Sequence, residues 1–167
     1  MKFVRFEHNN NASYGIVENE VVSGISNSPI GQDYKETGEK YNLSEVKILA
    51  PVPKPGKMLC LALNYGSHLL GADKPSRPEP FYKNNNAIIG PGDPIKLPED
   101  SGLVVWESEL IVIIGKKAQS VSEENALDYV FGYTAGNDVS AREWQAGPKA
   151  DKQWWRAKSS DTFGPTG

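Results

Sequence analysis

Apolar and polar residues alternate over short stretches in the first 50 residues of the chain. Residues 2–7 alternate apolar and charged side chains, which predicts a strand with one buried face. Two further short strands are predicted between residues 14 and 25, after a turn at the asparagines of residues 9–11. The polar stretch of residues 29–41 predicts a loop or a poor helix. Together these patterns predict a small N-terminal β domain over residues 1–50.

Prolines separate this region from the rest of the chain. Residues 51–56 contain three prolines, which hold the chain extended and cannot donate to a central sheet, so they predict a linker. The nearly continuous apolar run of residues 57–63 predicts a strand buried on both faces. Residues 103–115 form the most strand-like segment, and residues 122–130 predict a short helix. We therefore expect residues 57–167 to form a mixed, mainly β domain.

The composition argues against several classes of partner. The chain carries 18 lysines and arginines against 21 aspartates and glutamates, a formal charge of −3, and these basic residues form no cluster. This balance argues against nucleic acid or an anionic membrane as a partner. The longest apolar run, residues 110–114, is far shorter than the ~20 residues that a spanning helix needs, so no membrane anchor is expected.

Cysteine usage and the start of the chain predict the compartment. Cys60 is the single cysteine, so an internal disulfide is excluded, and no cluster of cysteine and histidine suggests zinc. Residues 1–7 carry charges where a signal peptide would need an apolar stretch. We therefore expect a reducing compartment, the cytoplasm.

Two carboxylates at the beginning of an apolar strand are the most informative feature of the second region. Residues two apart on a strand share a face, so Glu107 and Glu109 point the same way, ~7 Å apart. Ile111 and Ile113 continue the same row. Such carboxylates repel each other and resist burial unless a cation joins them. A divalent metal, a pair of Lys or Arg partners, or a strand that emerges into water there would each account for the pattern.

Three other positions are candidates for chemistry. Asp138 would supply a third carboxylate; alternatively, Asp138 or Ser140 begins a helix as its N-cap. Lys158 would stabilise an oxyanion, or it is a solvated surface lysine. His68 follows a predicted strand and would act as a mobile general base, or it lies on the surface without a role. Taken singly, the residues leave these alternatives open.

Several motifs follow one another in a fixed order from about residue 57 to the last residue. They are Leu63-Asn64-Tyr65-x-x-His68, Phe81-Tyr82-Lys83, Ile89-Gly90-Pro91-Gly92-Asp93, Trp106-Glu107-x-Glu109, Gly132-Tyr133-x-x-x-Asn137-Asp138-Val139-Ser140-Ala141-Arg142, and Lys158-Ser159-x-Asp161-Thr162-Phe163-Gly164-Pro165. This ordered set resembles the fumarylacetoacetate hydrolase family. Residues 1–50 are similar to the variable N-terminal β domain of that family but carry no motif of it.

The resemblance implies both a fold and an activity. The fold would be a fumarylacetoacetate hydrolase-like mixed β-sheet roll with short helices, preceded by the small N-terminal β domain. The activity would be that of a divalent-metal-dependent enzyme acting on a small 2-oxo or enol carboxylic acid of the acylpyruvate type. C–C bond hydrolysis, decarboxylation and keto–enol isomerisation would each pass through a metal-stabilised enolate. Relatives are commonly homodimers, so a homodimer is expected.

The resemblance also implies roles for single residues. Glu107, Glu109 and Asp138 match the carboxylates that hold Mg²⁺ or Mn²⁺ in the family. His68 matches the catalytic histidine, and Lys158 matches the lysine that supports developing negative charge. The positions that match substrate-side residues are Tyr65, Lys83, Arg142 and Gln145.

Two departures from the family pattern bear on the activity. Many relatives carry a glutamate three residues after the histidine, where this chain has Gly71, so His68 lacks the carboxylate that would orient it and raise its basicity. Tautomerisation, or another reaction that needs less from the base, is therefore favoured over hydrolysis and decarboxylation. The family's catalytic domain also continues beyond the last motif, so we expect this one to be C-terminally incomplete. The alternative is a catalytically inactive member that binds a small acid or acts as a partner subunit.

Overall fold

The computed structural model describes residues 1–69 and 71–167. Its first part is one antiparallel sheet of five strands in the order β4-β3-β2-β1-β5. The strands are β1 (Phe3–His8), β2 (Asn11–Glu18), β3 (Val21–Ile25), β4 (Glu36–Asn42) and β5 (Lys47–Leu49). The strands that the sequence predicts at residues 2–7 and between residues 14 and 25 are confirmed.

Two-residue turns join the first three strands. Asn9 and Asn10 have φ angles of 49° and 62°, and Asn19 and Glu20 have φ angles of 48° and 62°. Positive φ at both central positions gives the tight hairpin turn whose twist matches that of its strands, and asparagine adopts this conformation readily. The turn predicted at the asparagines is therefore confirmed.

The polar segment before the linker contains a strand. β4 pairs with β3 at the edge of the sheet, and its side chains are largely exposed. The expectation of a loop or a poor helix is wrong for residues 36–41. A polar edge strand carries no apolar alternation, and its polarity discourages pairing with other chains.

The second part consists of strand pairs and short helices. The antiparallel pairs are β6 (Met58–Ala62) with β7 (Glu79–Lys83), β9 (Val104–Val105) with β12 (Ser140–Ala141), and β10 (Ser108–Ile114) with β11 (Val130–Asn137). β8 (Ile88–Ile89) runs parallel to β13 (Gly164–Pro165). The α-helices are α1 (Arg142–Gln145) and α2 (Trp155–Ser159), and 3-10 helices lie at Leu43–Glu45, Gly66–Leu69, Asn85–Ala87 and Glu123–Tyr129. This mainly β architecture with short helices confirms the predicted fold class.

An apolar core of the second part fixes the helices. The side chains buried together are Val139, Ala141, Trp144, Ala157 and Phe163. Because they come from β12, α1, α2 and the residues beside them, this core holds both helices against the end of β11. Within the part of the chain that the structure describes, no helix is both long and apolar enough to cross a membrane.

The structure corrects three expectations for the second part. β6 is not buried on both faces, since the side chains of Leu59 and Leu61 are 50% and 45% exposed. The strand predicted at residues 103–115 is interrupted before β10, which leaves Glu107 outside the regular ladder. The helix predicted at residues 122–130 is the 3-10 helix Glu123–Tyr129.

Candidate active site

Glu107 and Asp138 are neighbours on adjacent chain segments. The backbone N–H of Asp138 donates to the carbonyl of Glu107 at 2.9 Å, and the N–H of Glu107 donates to the side-chain oxygen of Asn137 at 3.0 Å. Their side chains are only 11% and 7% exposed. The interpretation of Asp138 or Ser140 as a helix N-cap is wrong, because Ala141 holds that position at α1.

Glu109 lies two residues further along β10, opposite Gly136 on β11. It shares the less exposed side of the strand with Ile111 and Ile113, as the alternation predicts. Burial raises the pKa of the Glu109 carboxyl, and the negative charges of the two neighbouring carboxylates add to this effect. A hydrogen bond from Tyr65 opposes the increase. The three carboxylates therefore form one electrostatic group, which we call the carboxylate cluster (Glu107, Glu109 and Asp138).

Lys158 brings a buried cation to this cluster. Its ammonium donates to Oε2 of Glu107 at 3.0 Å and to Oδ2 of Asp138 at 2.6 Å, and its side chain is 3% exposed. Its backbone N–H donates to the carbonyl of Trp154, while the preceding Ala157 is fully buried in the core. The alternative of a solvated surface lysine is therefore wrong, and the N–H groups of Lys158 point at two carboxylates.

Arg142 and Gln145 adjoin the same cluster from α1. Nη2 of Arg142 lies 2.8 Å from Oε1 of Glu107, and Nη1 donates to Oε1 of Gln145 at 2.7 Å. The Arg142 side chain is 37% exposed, so it forms the solvent-facing border of the cluster. The structure brings both residues to the predicted place, and their contact with a substrate stays a prediction.

Lys83 reaches the cluster from the opposite side, at the end of β7. Its ammonium donates to the carbonyls of Val139 at 3.2 Å and Phe163 at 2.9 Å, and also to the carbonyl of Lys158. Oδ1 of Asp138 lies 2.7 Å away, and the Lys83 side chain is 0% exposed. Three backbone carbonyls and the Asp138 carboxylate thus surround the Lys83 ammonium, and its contact with a substrate stays a prediction.

Two predicted residues lie at the open edge. The hydroxyl of Tyr65 accepts a hydrogen bond from the backbone N–H of Leu110 at 3.4 Å, which places it beside the cluster. His68 lies on the exposed 3-10 helix Gly66–Leu69, where its backbone N–H donates to the carbonyl of Tyr65. Among the residues that the structure describes, the His68 imidazole has no hydrogen bond or ion pair with a carboxylate, and its catalytic role stays a prediction.

The carboxylate cluster has the donor chemistry of a Mg²⁺ or Mn²⁺ site, because all its ligands are oxygens. Oε1 of Glu107 and Oδ1 of Asp138 are buried without a well-formed hydrogen bond, and their cationic contacts are ion pairs. Across residues 1–69 and 71–167, however, no three His, Cys, Asp or Glu side chains surround a common point as they lie. The donor set fits a divalent cation, whereas a formed coordination cage is not seen there.

Sequence reasoning missed two components of this site. Cys60 points inward from β6, and burial raises the pKa of its thiol to about 12, with Asp138 adding to the increase. The alternating exposure along β6 places it on the less exposed side, whereas the continuous apolar run in the sequence does not distinguish the two sides. The backbone carbonyls that bind Lys83 carry no signal in the sequence, since every residue has a carbonyl.

Comparison with known families places both parts of the chain. Residues 57–167 match the family described as fumarylacetoacetate hydrolase C-terminal, and residues 1–51 match the one described as Rv2993c-like, N-terminal. Oxaloacetate tautomerase fahd2, mitochondrial, of Xenopus laevis is 47% identical over 126 residues, which are 74% of this chain and 39% of that protein. The chain thus spans about two fifths of that curated relative.

Solved structures agree with the sequence relatives. The 5-carboxymethyl-2-hydroxymuconate delta-isomerase from Mycobacterium smegmatis has a TM-score of 0.88 at 36% identity, with 100% of this chain matched to 65% of that one. Maleylpyruvate hydrolase from Sphingobium, in complex with manganese(II) and pyruvate, has a TM-score of 0.72 at 27% identity and the same coverage. These likenesses extend over both parts of the chain, and the matched family covers about two thirds of it. The chain belongs to the fumarylacetoacetate hydrolase family.

Proposed function

We propose that this chain catalyses the keto–enol tautomerisation of a small 2-oxo carboxylic acid, and that oxaloacetate is the first compound to test. The observation that carries this proposal is the buried ammonium of Lys158, held between Glu107 and Asp138. Relatives named for tautomerisation, isomerisation and hydrolysis of small acids support the reaction class.

Tautomerisation moves one proton between a carbon atom and the neighbouring 2-oxo oxygen, so it needs a proton acceptor and stabilisation of negative charge on that oxygen. Lys158 is the residue to donate a hydrogen bond to this oxygen, because its N–H groups already point at anionic oxygens in a dry setting. Arg142, at the solvent-facing border, would bind a substrate carboxylate. His68 would act as the proton acceptor once its segment approaches the cluster.

Glu107, Glu109 and Asp138 would hold Mg²⁺ or Mn²⁺, which when bound would polarise the 2-oxo group as a Lewis acid. Manganese is the first ion to test, since a solved relative contains it together with pyruvate. A small carboxylic acid as substrate, a homodimer as the assembly and the cytoplasm as the location remain part of this proposal, although some relatives are named as mitochondrial.

The test follows the conversion of enol-oxaloacetate to its keto form by ultraviolet absorbance, with chelator-treated protein before and after addition of Mn²⁺ or Mg²⁺. Lys158→Met should lower the catalysed rate about 10²- to 10³-fold, because a donor to the developing charge is lost. The matched control is Lys152→Met, which removes an exposed lysine close in sequence and should leave the rate unchanged. A wild-type rate no faster than buffer with either metal would contradict the proposal.

The second candidate is an inactive family member that binds a small acid or pairs with another subunit. Gly71, at the position of the expected glutamate, has a φ angle of 91°, a conformation that a side chain strains to adopt. The His68 segment is therefore not arranged to carry a carboxylate there. Saturable binding of pyruvate in calorimetry, without any tautomerisation, would favour this candidate.

A further inference from the structure

Lys83 connects three segments of the chain at one atom. The carbonyls that accept its three N–H groups belong to Val139, after β11, to Lys158, in α2, and to Phe163, before β13. The separations along the chain are 56, 75 and 80 residues. A buried ammonium needs hydrogen-bond acceptors of this kind, because a charge buried without partners would strongly destabilise the folded state.

The same ammonium contacts both members of the Asp138–Lys158 pair. It lies 2.7 Å from Oδ1 of Asp138, and it binds the backbone carbonyl of Lys158. Oδ2 of Asp138, the other oxygen, is the one that faces the Lys158 ammonium at 2.6 Å. Lys83 therefore constrains the rotation of the Asp138 carboxylate and the place of the Lys158 backbone at the same time.

Stability alone is a weak explanation for this arrangement. Replacing a buried ion pair by apolar residues of similar volume is often neutral or stabilising, because the charges pay a desolvation penalty. That comparison applies to replacement of both partners, whereas loss of the Lys83 ammonium alone would leave the Asp138 carboxylate buried without its cation. The directional contacts of the ammonium, rather than its volume, distinguish this residue.

We propose that Lys83 is a positioning residue that orients Asp138 and Lys158 for divalent-cation binding and for the reaction, and that it contacts neither substrate nor cation itself. The inference rests on the proposed function for the ligand and the reaction. Its geometric part, the attachment of Asp138 and Lys158 to one ammonium, is independent of that function.

The experiment removes the Lys83 ammonium and then restores it by chemistry. The parent is Cys60→Ala, which carries no other thiol because Cys60 is the single cysteine. Lys83→Cys is introduced in this parent, and its thiol is aminoethylated in denaturant before refolding, which restores an ammonium at nearly the length of lysine. Mn²⁺ affinity is measured by calorimetry, kcat and KM for enol-oxaloacetate by absorbance, and unfolding by urea titration.

The expected result is a loss of Mn²⁺ affinity of at least about tenfold in Lys83→Cys and its recovery after aminoethylation. We expect kcat to fall much more than KM rises, since Lys83 meets no substrate. Unchanged Mn²⁺ affinity in the folded variant would overturn the inference. Recovery of the urea midpoint without recovery of Mn²⁺ affinity would also overturn it, because the role would then be structural only.

A parent protein that binds no Mn²⁺ would refute the metal part of the proposed function and of the inference, and hydrogen exchange then tests the geometric part, the attachment of Asp138 and Lys158 to Lys83. Loss of the ammonium should speed exchange at the amides of Asp138, Val139 and Lys158, whose own hydrogen bonds lie beside it. The sheet of β1 to β5 should exchange as in the parent. Equal acceleration at every amide would overturn the inference.

Discussion

Two lysine–aspartate contacts of equal length lie in opposite surroundings. Lys83 and Asp138, a member of the carboxylate cluster, are 2.7 Å apart in the interior, with side chains 0% and 7% exposed. Lys47 and Asp93 are also 2.7 Å apart, but their side chains are 54% and 27% exposed. The second pair joins β5 of the N-terminal sheet to the turn after β8.

Burial, and not the N–O distance, decides how each ion pair shifts the pKa of its lysine and how costly the pair is to break. Burial lowers the pKa of the Lys83 ammonium, and the attraction to Asp138 only partly offsets this effect. The hydrogen bond to Asp93 raises the pKa of Lys47, because water already solvates that ammonium and little desolvation opposes the contact. A buried pair is costly to break from one side, whereas an exposed pair is nearly dispensable.

The largest expected effect comes from removal of the buried ammonium. Lys83→Met should lower the free energy of unfolding by about 3–5 kcal/mol, because Asp138 and three carbonyls lose their partner. Urea unfolding at neutral pH measures this change. Lys47→Met is the matched control and should shift the urea midpoint only slightly.

A double variant sharpens the same comparison. Adding Asp138→Asn to Lys83→Met neutralises the buried carboxylate left behind, so part of the lost stability should return. Equal losses for the Lys83 and Lys47 variants, or no recovery in the double variant, would show that burial does not separate the two pairs.

An intermediate effect is expected from a change without charge on β11. A Cβ added at Gly136 would lie 2.5 Å from Cδ1 and 2.8 Å from Cγ1 of Ile111, so the side chain beside Glu109 would have to move. Gly136→Ala should cost about 1–3 kcal/mol in the free energy of unfolding, by overpacking. Gly132→Ala on the same strand meets nothing within 4 Å and should cost far less. Thermal unfolding of both variants checks this. Similar losses of stability in the two variants would argue against rigid packing of the Ile111 side chain.

The smallest effect belongs to the exposed pair and depends on pH. The hydrogen bonds from Lys47 and from the backbone N–H of Gly90 lower the pKa of Asp93 below its usual value. Its contribution to stability is therefore present above the unfolded-state pKa of about 3.9 and is lost as pH falls through the lower folded-state pKa. Asp93→Asn should show a small, constant deficit in the urea midpoint from pH 7 to about pH 5 that disappears in stronger acid.

The control for this measurement is Asp128→Asn, which changes an exposed aspartate on the 3-10 helix Glu123–Tyr129. Its urea midpoint should follow the wild type at every pH. If the urea midpoint of Asp93→Asn instead fell further below that of the wild type in acid, the sign would be opposite to the expected one. The ion pair of Lys47 and Asp93 would then not be the source of the pH dependence.

The part of the candidate site that depends on side-chain type and strand periodicity was predictable from the sequence. Glu109 lies on β10 and Glu107 directly precedes that strand, with Lys158 bound to Glu107 and to Asp138. That the two glutamates point the same way stays a prediction. In the structure, Lys158 and Arg142 contact Glu107, and Lys158 also contacts Asp138, while a divalent metal at the three carboxylates stays a prediction. The role of Lys83 was not predictable, because backbone carbonyls from distant segments decide it.

The fold was predictable in its apolar strands and not in its polar ones. β1 and β3 lie where short apolar stretches predict strands, whereas β4 is largely polar and exposed and pairs with β3. The continuous apolar run of β6 predicts burial on both faces, but its outward leucines are about half exposed. The hydrophobicity of a residue indicates whether burial would be favourable for it. Whether a strand lies at an edge, or has an uncovered face, depends on which other segments pack against it in the tertiary structure.

The contacts of Lys83 also bear on how fast the chain folds. They join positions 56 to 80 residues apart, so they form only after several long loops have closed, and such contacts slow folding. Contacts that form only after the folding transition state mainly lower the rate of unfolding. The residue that arranges the reacting groups would thus also govern the lifetime of the native state, since its contacts must break before the last strands and α2 separate.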